Sequence, residues 1–165
     1  MNYLKIDTCN MNNGNGLRCV LWVTACSHRC PFCFNPETWD ANNGDRFTEK
    51  QYQVIADTLS KNWCSGITLT GGDPLHPVNR KEIKNLCLKL KEQFPEKSIW
   101  AYTGYLFEEV KDFLKDSEID VVIDGEFKND LKSPFAHWVG SSNQRIIDVK
   151  KTLANPADEV VLYES

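Results

Sequence analysis

Short apolar runs alternate with amphipathic segments along most of the chain. Five runs that are rich in β-branched and aromatic residues predict strands, at residues 17–24, 66–70, 98–103, 119–124 and 144–149. The first run, LRCVLWVT, is apolar at nearly every position, which is typical of a strand covered on both faces in a parallel sheet. The C-terminal stretch 160–163 is ambiguous by the same criteria.

Three segments between these runs have apolar residues at the spacing of a helix. Thr48 and Gln51 form the pattern of a capping box at the start of the first helix. The apolar face of that helix consists of Tyr52, Ile55, Ala56 and Leu59. The second helix is predicted to begin with Asn79 as its N-cap, and the third covers about residues 107–115.

This alternation predicts an α/β fold with a mostly parallel sheet. The length of 165 residues fits a single domain, 1–165, with its core at about 17–150. A closed eight-stranded barrel needs about 250 residues, so the choice lies between an open doubly wound sheet and a partial barrel. In both architectures ligands bind at the carboxyl ends of the strands, where the polar and glycine-rich segments of this chain cluster.

Composition narrows the class of protein. Hydrophobic residues make up 41% of the chain and aromatic residues 11%, which indicates a globular protein rather than a disordered one. The formal net charge of −4 argues against a broad basic face for nucleic acid. Because the sequence has neither a membrane-length apolar run nor an apolar N-terminal signal segment, we expect a cytoplasmic protein without a membrane partner.

The chain has seven cysteines, an odd number, and lacks the signal segment of a disulfide-bonded secreted protein. Three of them, Cys26, Cys30 and Cys33, are clustered directly after the first strand, which favours a metal site or catalysis. The others are interpreted as small buried hydrophobic residues: Cys9, Cys19, Cys64 and Cys87.

Three thiolates in one loop are compatible with two kinds of metal centre. A structural zinc site needs a fourth ligand, for which the candidates are His28, His76 and His137. His28 lies between two of the cysteines and is interpreted as a solvated loop residue. The alternative is a [4Fe–4S] cluster with one iron free of protein ligands, which the spacing favours modestly over zinc.

A glycine-rich turn follows the second predicted strand, at residues 71–74 (GGDP). Glycine lets the backbone approach a ligand closely, and Asp73 adds a carboxylate next to it. Beside an open cluster, such a turn suits an amino-acid-like ligand whose ammonium group needs acceptors.

These motifs resemble those of a known family. The spacing Cys26-x3-Cys30-x-Phe32-Cys33 resembles the signature of radical S-adenosylmethionine (SAM) enzymes, and GGDP resembles their motif for the SAM amino group. Further segments resemble, in order, the activating proteins of anaerobic (class III) ribonucleoside-triphosphate reductases: residues 13–18, 35–39, 71–77, 102–105, 124–127, 130–132 and 140–145. The resemblance covers about residues 10–148, and it departs at Asn15, where the family often has proline, and at Val139, where a basic residue is common.

The resemblance implies a partial (open) β/α barrel of the radical SAM type. It implies that Cys26, Cys30 and Cys33 bind a [4Fe–4S] cluster and that SAM chelates its fourth iron. The SAM-binding residues it implies are Phe32, Cys33, Phe34, Gly72, Asp73, Thr103 and Asp124. Trp39, Phe127 and Trp138 could face the partner protein or lie in the core, and the core is favoured because large aromatic residues are usually buried.

The implied activity is the generation of a glycyl radical on the large subunit of the reductase, with electrons from a flavodoxin-like donor. One alternative is an activase for another glycyl radical enzyme, of the formate-lyase type. Members of that group are typically longer and lack the GSSNQR and DGEF segments in this arrangement. A second alternative is a zinc-stabilised binding module.

Overall fold

The computed structural model describes all 165 residues. They form an α/β fold with one seven-stranded sheet, which has both parallel and antiparallel pairs, and four helices. The strands are β1 (Asn2–Asn10), β2 (Leu17–Val23), β3 (Asp45–Arg46), β4 (Cys64–Gly71), β5 (Ser98–Tyr102), β6 (Val121–Asp124) and β7 (Arg145–Asp148). The helices are α1 (Glu49–Leu59), α2 (Pro77–Gln93), α3 (Phe107–Lys115) and α4 (Val149–Ala154). Two 3-10 turns lie at Pro36–Thr38 and Asn129–Leu131. No helix is both long enough and apolar enough to span a membrane.

The sheet has the order β3-β1-β2-β4-β5-β6-β7 and is open. Its centre, β2-β4-β5-β6, is parallel, as predicted. The pairs β3–β1, β1–β2 and β6–β7 are antiparallel, so the expectation of a mostly parallel sheet is wrong at both edges. The α/β class is confirmed, whereas the closure of a partial barrel stays a prediction.

The helices cover one face of the sheet. Cys19, Leu21 and Val23 of β2 belong to the main core, together with the buried residues of α1, α2 and α3. Because side chains alternate along a strand, the residues between them face the opposite side. We call that side the helix-free face; it carries Trp22 of β2 and Trp100 of β5. This arrangement differs from a doubly wound sheet, in which helices cover both faces.

Arg18 is buried on the helix-free face, with 1% of its surface exposed. Its guanidinium donates to the carbonyl oxygens of Asn15, Ile67 and Ser98 at 2.9–3.0 Å, to Thr68 Oγ1 at 2.9 Å and to Ser98 Oγ at 3.0 Å. These bonds join the loop before β2 to β4 and β5. A buried charge with all its donors paired is tolerated in a protein interior.

Helix α2 begins at Pro77, two residues before the predicted Asn79 cap. Proline suits the first turn of a helix because its missing N–H would have no partner there, and the ring of His76 caps the turn. Asn79 is buried instead, and its amide donates to the carbonyl oxygens of Thr24 at 2.8 Å and Asp73 at 3.0 Å. The predicted N-cap therefore ties the segment after β2 to the turn after β4.

Candidate cofactor site

A cavity of about 460 Å³ lies on the helix-free face, at the carboxyl ends of the four parallel strands. Each strand end contributes to the lining: Trp22 from β2, Thr70 and Gly71 from β4, Tyr102 from β5 and Gly125 after β6. This volume is within the usual range of small-molecule sites, about 300–1,000 Å³. The prediction of a site at the carboxyl ends of the strands agrees with this placement.

Cys26, Cys30 and Cys33 all line this cavity, and each is half-buried. Burial raises the pKa of Cys26 to about 11 and also raises the pKa of Cys30. No group of three or more His, Cys, Asp or Glu side chains is close enough to hold a single metal ion. A cubane cluster differs from a zinc ion in this respect, because each thiolate binds an iron of its own.

The backbone of the cysteine loop is strained at three positions. Ala25, Arg29 and Phe32 have φ values of 78°, 50° and 60°, in the left-handed region. Such conformations cost residues other than glycine about 1–3 kcal/mol each and persist only where the surrounding structure holds them. The loop is therefore held by its contacts with the rest of the protein.

Asp73 is buried at the end of β4 and organises the turn around it. Its carboxylate accepts hydrogen bonds from the backbone N–H of Leu75 at 2.8 Å and of Gly104 at 3.0 Å. It also accepts from Thr103 Oγ1 at 2.9 Å and lies 2.7 Å from His28 Nε2. Asp73 and Thr103 both line the cavity, and most of the capacity of the carboxylate is used within the protein.

His28 is not the solvated loop residue that the sequence suggested. Only 10% of its side chain is exposed, and its Nδ1 lies 3.1 Å from Glu126 Oε1 while its Nε2 contacts Asp73. The hydrogen bond with Asp73 is the main cause that raises the pKa of His28. The imidazole thus links the cysteine loop to the turns after β4 and β6.

Gly72 is packed tightly against the start of the cysteine loop. A Cβ atom at this position would lie 2.7 Å from the carbonyl oxygen of Ala25 and 3.0 Å from that of Thr38. The backbone N–H groups of Gly72 and Asp73 each donate at 2.8 Å, to the carbonyl oxygens of Val23 and Ala25. The glycine therefore brings the GGDP turn and the cysteine loop together at one wall of the cavity.

Asp124 is brought near this region but not into the cavity lining. It is fully buried, and it accepts hydrogen bonds from the N–H of Phe107 at 2.7 Å and from the guanidinium of Arg145. This arrangement anchors the start of α3 and joins β6 to β7. Its implied role toward SAM stays a prediction.

Comparison with known proteins identifies the family. A family model described as a 4Fe-4S single cluster domain matches residues 12–147, a range that contains every residue lining the cavity. The anaerobic ribonucleoside-triphosphate reductase-activating protein of Enterobacteria phage T4 is 48% identical over 146 residues, which cover 88% of this chain and 93% of that protein. The proteins of the same name from Escherichia coli K12 and Vibrio cholerae are 40% and 39% identical, over 87% and 88% of this chain and 96% and 97% of their own. The chain belongs to this family of activating proteins.

Aromatic side chains complete the cavity in this activating-protein chain. The rings of Phe34 and Phe127 lie 4.9 Å apart, and both line the cavity together with Trp39 and Trp138. Trp39 and Phe127 are thus half-buried residues of the cavity wall, and their interpretation as core residues is corrected. Trp138 lines the cavity and also packs against the buried ring of Trp100, so the core interpretation holds for it in part. Phe32 is 77% exposed and does not line the cavity, so its contribution to a ligand site stays a prediction.

A signal for these aromatic residues is present in the sequence. Trp39 and Phe127 lie in segments 35–39 and 124–127, which resemble the activating-protein family. The first segment follows the cysteine loop, and the second begins at the end of a predicted strand. Because large aromatic residues are usually buried in cores, composition and periodicity cannot separate a cavity wall from a core. The indole N–H of Trp39 is buried and has no hydrogen-bond partner in the protein.

Proposed function

We propose that this protein activates an anaerobic ribonucleoside-triphosphate reductase by generating a glycyl radical on its large subunit. In this proposal it does so as a radical SAM enzyme, through reductive cleavage of SAM at a [4Fe–4S] cluster. The observation that carries the proposal is one cavity lined by all three clustered cysteines and by the GGDP turn, in a chain that matches a 4Fe-4S single cluster domain. The names of its relatives supply the reductase as the partner.

The donor set fits an iron–sulfur cluster. Soft thiolates are the preferred ligands of iron–sulfur irons, and three of them leave one iron open to another ligand. Cys26, Cys30 and Cys33 would hold the cluster, and their protons must leave because only thiolates bind iron. When bound, the cluster and SAM would supply the one-electron cleavage that yields methionine and a 5′-deoxyadenosyl radical, which takes a hydrogen atom from the partner glycine.

In this mechanism the residues of the chain would bind and orient SAM and shield it from water. The segment Phe32, Cys33 and Phe34 would contact the adenine end of SAM, and Gly72 and Asp73 would face its methionine end. Thr103 borders the cavity next to Asp73 and is proposed for the ribose side, together with Asp124. The aromatic wall of Phe34 and Phe127 would exclude water from the reacting end. A flavodoxin-like protein is proposed as the electron donor.

The two alternative functions would give different experimental results. A zinc-stabilised binding module would bind about one zinc per chain in four-coordinate form and would remain colourless. An activase of the formate-lyase type would cleave SAM but would not transfer the radical to a ribonucleotide reductase. The relatives of this chain, which are named for the reductase, favour the proposed partner over that alternative.

The first experiment is anaerobic reconstitution with iron and sulfide, followed by reduction, addition of SAM and quantification of 5′-deoxyadenosine. The single variants Cys26→Ala, Cys30→Ala and Cys33→Ala are each expected to abolish the product. Cys9→Ala is the matched control, because Cys9 lies outside the cavity and is exposed, contrary to its interpretation as a buried residue. Retained SAM cleavage in all three loop variants, or zinc uptake without iron uptake, would overturn the proposal.

The partner is tested separately. The reconstituted protein, SAM and reductant are mixed with the large subunit of an anaerobic ribonucleotide reductase, and the glycyl radical is measured by electron paramagnetic resonance (EPR). A radical signal that requires Cys30 is expected. SAM cleavage without any radical on the reductase would reject this partner and favour another glycyl radical enzyme.

A further inference from the structure

His28 occupies a fitted slot between the cysteine loop and the strand ends. A Cβ atom on Gly104 would lie 2.5 Å from His28 Cδ2 and 2.7 Å from Cγ and Nε2, so the ring sits directly on the glycine backbone. The ring of Tyr105 packs edge-on against the imidazole, with ring centres 4.6 Å apart. Glycine at 104 is therefore needed for the histidine to reach Asp73.

The loop has no other comparable anchor between its first two cysteines. Residues 27–29 make no backbone–backbone hydrogen bond, and neither Ser27 nor Arg29 makes a side-chain hydrogen bond. The guanidinium of Arg29 lies over the face of Trp39, 5.2 Å from the ring centre, and the residue has a left-handed backbone. The two side-chain contacts of His28 are therefore the hydrogen bonds that join residues 27–29 to the turns after β4 and β6.

We propose that His28 is a positioning residue for the cluster, which holds the loop in its cluster-binding conformation by joining Cys26 and Cys30 to Asp73 and Glu126. The inference rests on the proposed function for what the thiols bind, and on this structure for how they are held. Outer contacts of this kind orient the ligands of metal sites, and their loss typically reduces metal affinity about 10–100-fold.

The test begins with the metal-free protein, in which trypsin cleavage after the exposed Arg29 reports opening of the loop. His28→Ala is expected to raise the cleavage rate about tenfold, because cleavage follows the population of the open form. Gly104→Ala removes the slot without changing the loop sequence and is expected to have the same effect. Ser27→Ala, next to the histidine and without hydrogen bonds of its own, is the matched control and is expected to cleave like the unsubstituted protein.

The second measurement uses the reconstituted protein. His28→Ala is expected to lose iron to a chelator about tenfold faster than Ser27→Ala and to show a changed EPR line shape of the reduced cluster. An unchanged cleavage rate after Arg29 would overturn the inference whether or not iron binds. Faster cleavage with unchanged iron loss and line shape would overturn it as well. Failure of the unsubstituted protein to bind iron would instead overturn the proposed function.

Discussion

Replacing Arg18 by methionine tests how much of the stability of the protein depends on the hydrogen bonds of this one buried guanidinium on the helix-free face. The substitution leaves the carbonyl oxygens of Asn15, Ile67 and Ser98 without this donor. Each buried polar group left without a partner typically costs about 1–3 kcal/mol, so the three carbonyl oxygens together cost about 3–9 kcal/mol. Removing the charge itself offsets part of this cost, so we expect the free energy of unfolding to fall by about 4 kcal/mol.

The assay is urea unfolding monitored by tryptophan fluorescence, since the ring centre of Trp100 lies 5.3 Å from the guanidinium carbon of Arg18. With a urea dependence of about 2 kcal/mol per M, the loss corresponds to a midpoint lowered by about 2 M. Arg46→Met is the control, because that side chain is 61% exposed and its ion pair contributes at most about 1 kcal/mol. Burial lowers the pKa of Arg18 to about 10, so it stays charged at neutral pH. A decrease below about 1 kcal/mol for Arg18→Met would refute the reasoning.

Three further substitutions and modifications follow from contacts in the same structure. Gly72→Ala should destabilise the protein by about 1–3 kcal/mol, because the new Cβ would lie 2.7 Å from the Ala25 carbonyl oxygen. It should also weaken SAM binding, measured by equilibrium dialysis. Unchanged SAM affinity would contradict this prediction. Asn79→Ala should lower the melting temperature by several degrees, since two buried carbonyl groups lose their donor; an unchanged melting curve would count against it. Iodoacetamide should modify the exposed Cys9 in the native protein but not Cys87, whose pKa burial raises to about 12; rapid native labelling of Cys87 by mass spectrometry would be the opposing result.

Local pattern was sufficient for the central part of the fold. The apolar run of β2 and the amphipathic spacing of α1 and α3 predicted those elements, because burial and periodicity are properties of the segment itself. Strand β1 was not predicted, since it lies near the edge of the sheet, polar and apolar residues are mixed along it, and none of its residues is fully buried. The direction of β7 was missed because a period of two does not distinguish parallel from antiparallel pairing.

The residues of the candidate site also fall into two groups, those that a local sequence motif reveals and those whose role depends on contacts distant in sequence. The three cysteines and the GGDP turn could be singled out from the sequence because each motif is short and contiguous, and the structure places both at one cavity. The role of His28 is not readable, since its partners lie 45 and 98 residues further along the chain. Asn79 shows the converse error: its local pattern predicts a helix cap, whereas a tertiary contact uses its side chain.

The long separation between His28 and Glu126 also sets an order of events during synthesis. Ribosomes add about 5–20 residues per second, so the interval between Cys33 and Glu126 lasts on the order of 5–20 s. Throughout this interval the thiols emerge on a nascent chain without the partners that later enclose them, and contacts this distant in sequence form late. Iron delivered to the growing chain would meet flexible thiols, whereas iron delivered after release would meet a finished cavity. Cluster insertion is therefore expected to be a post-translational step.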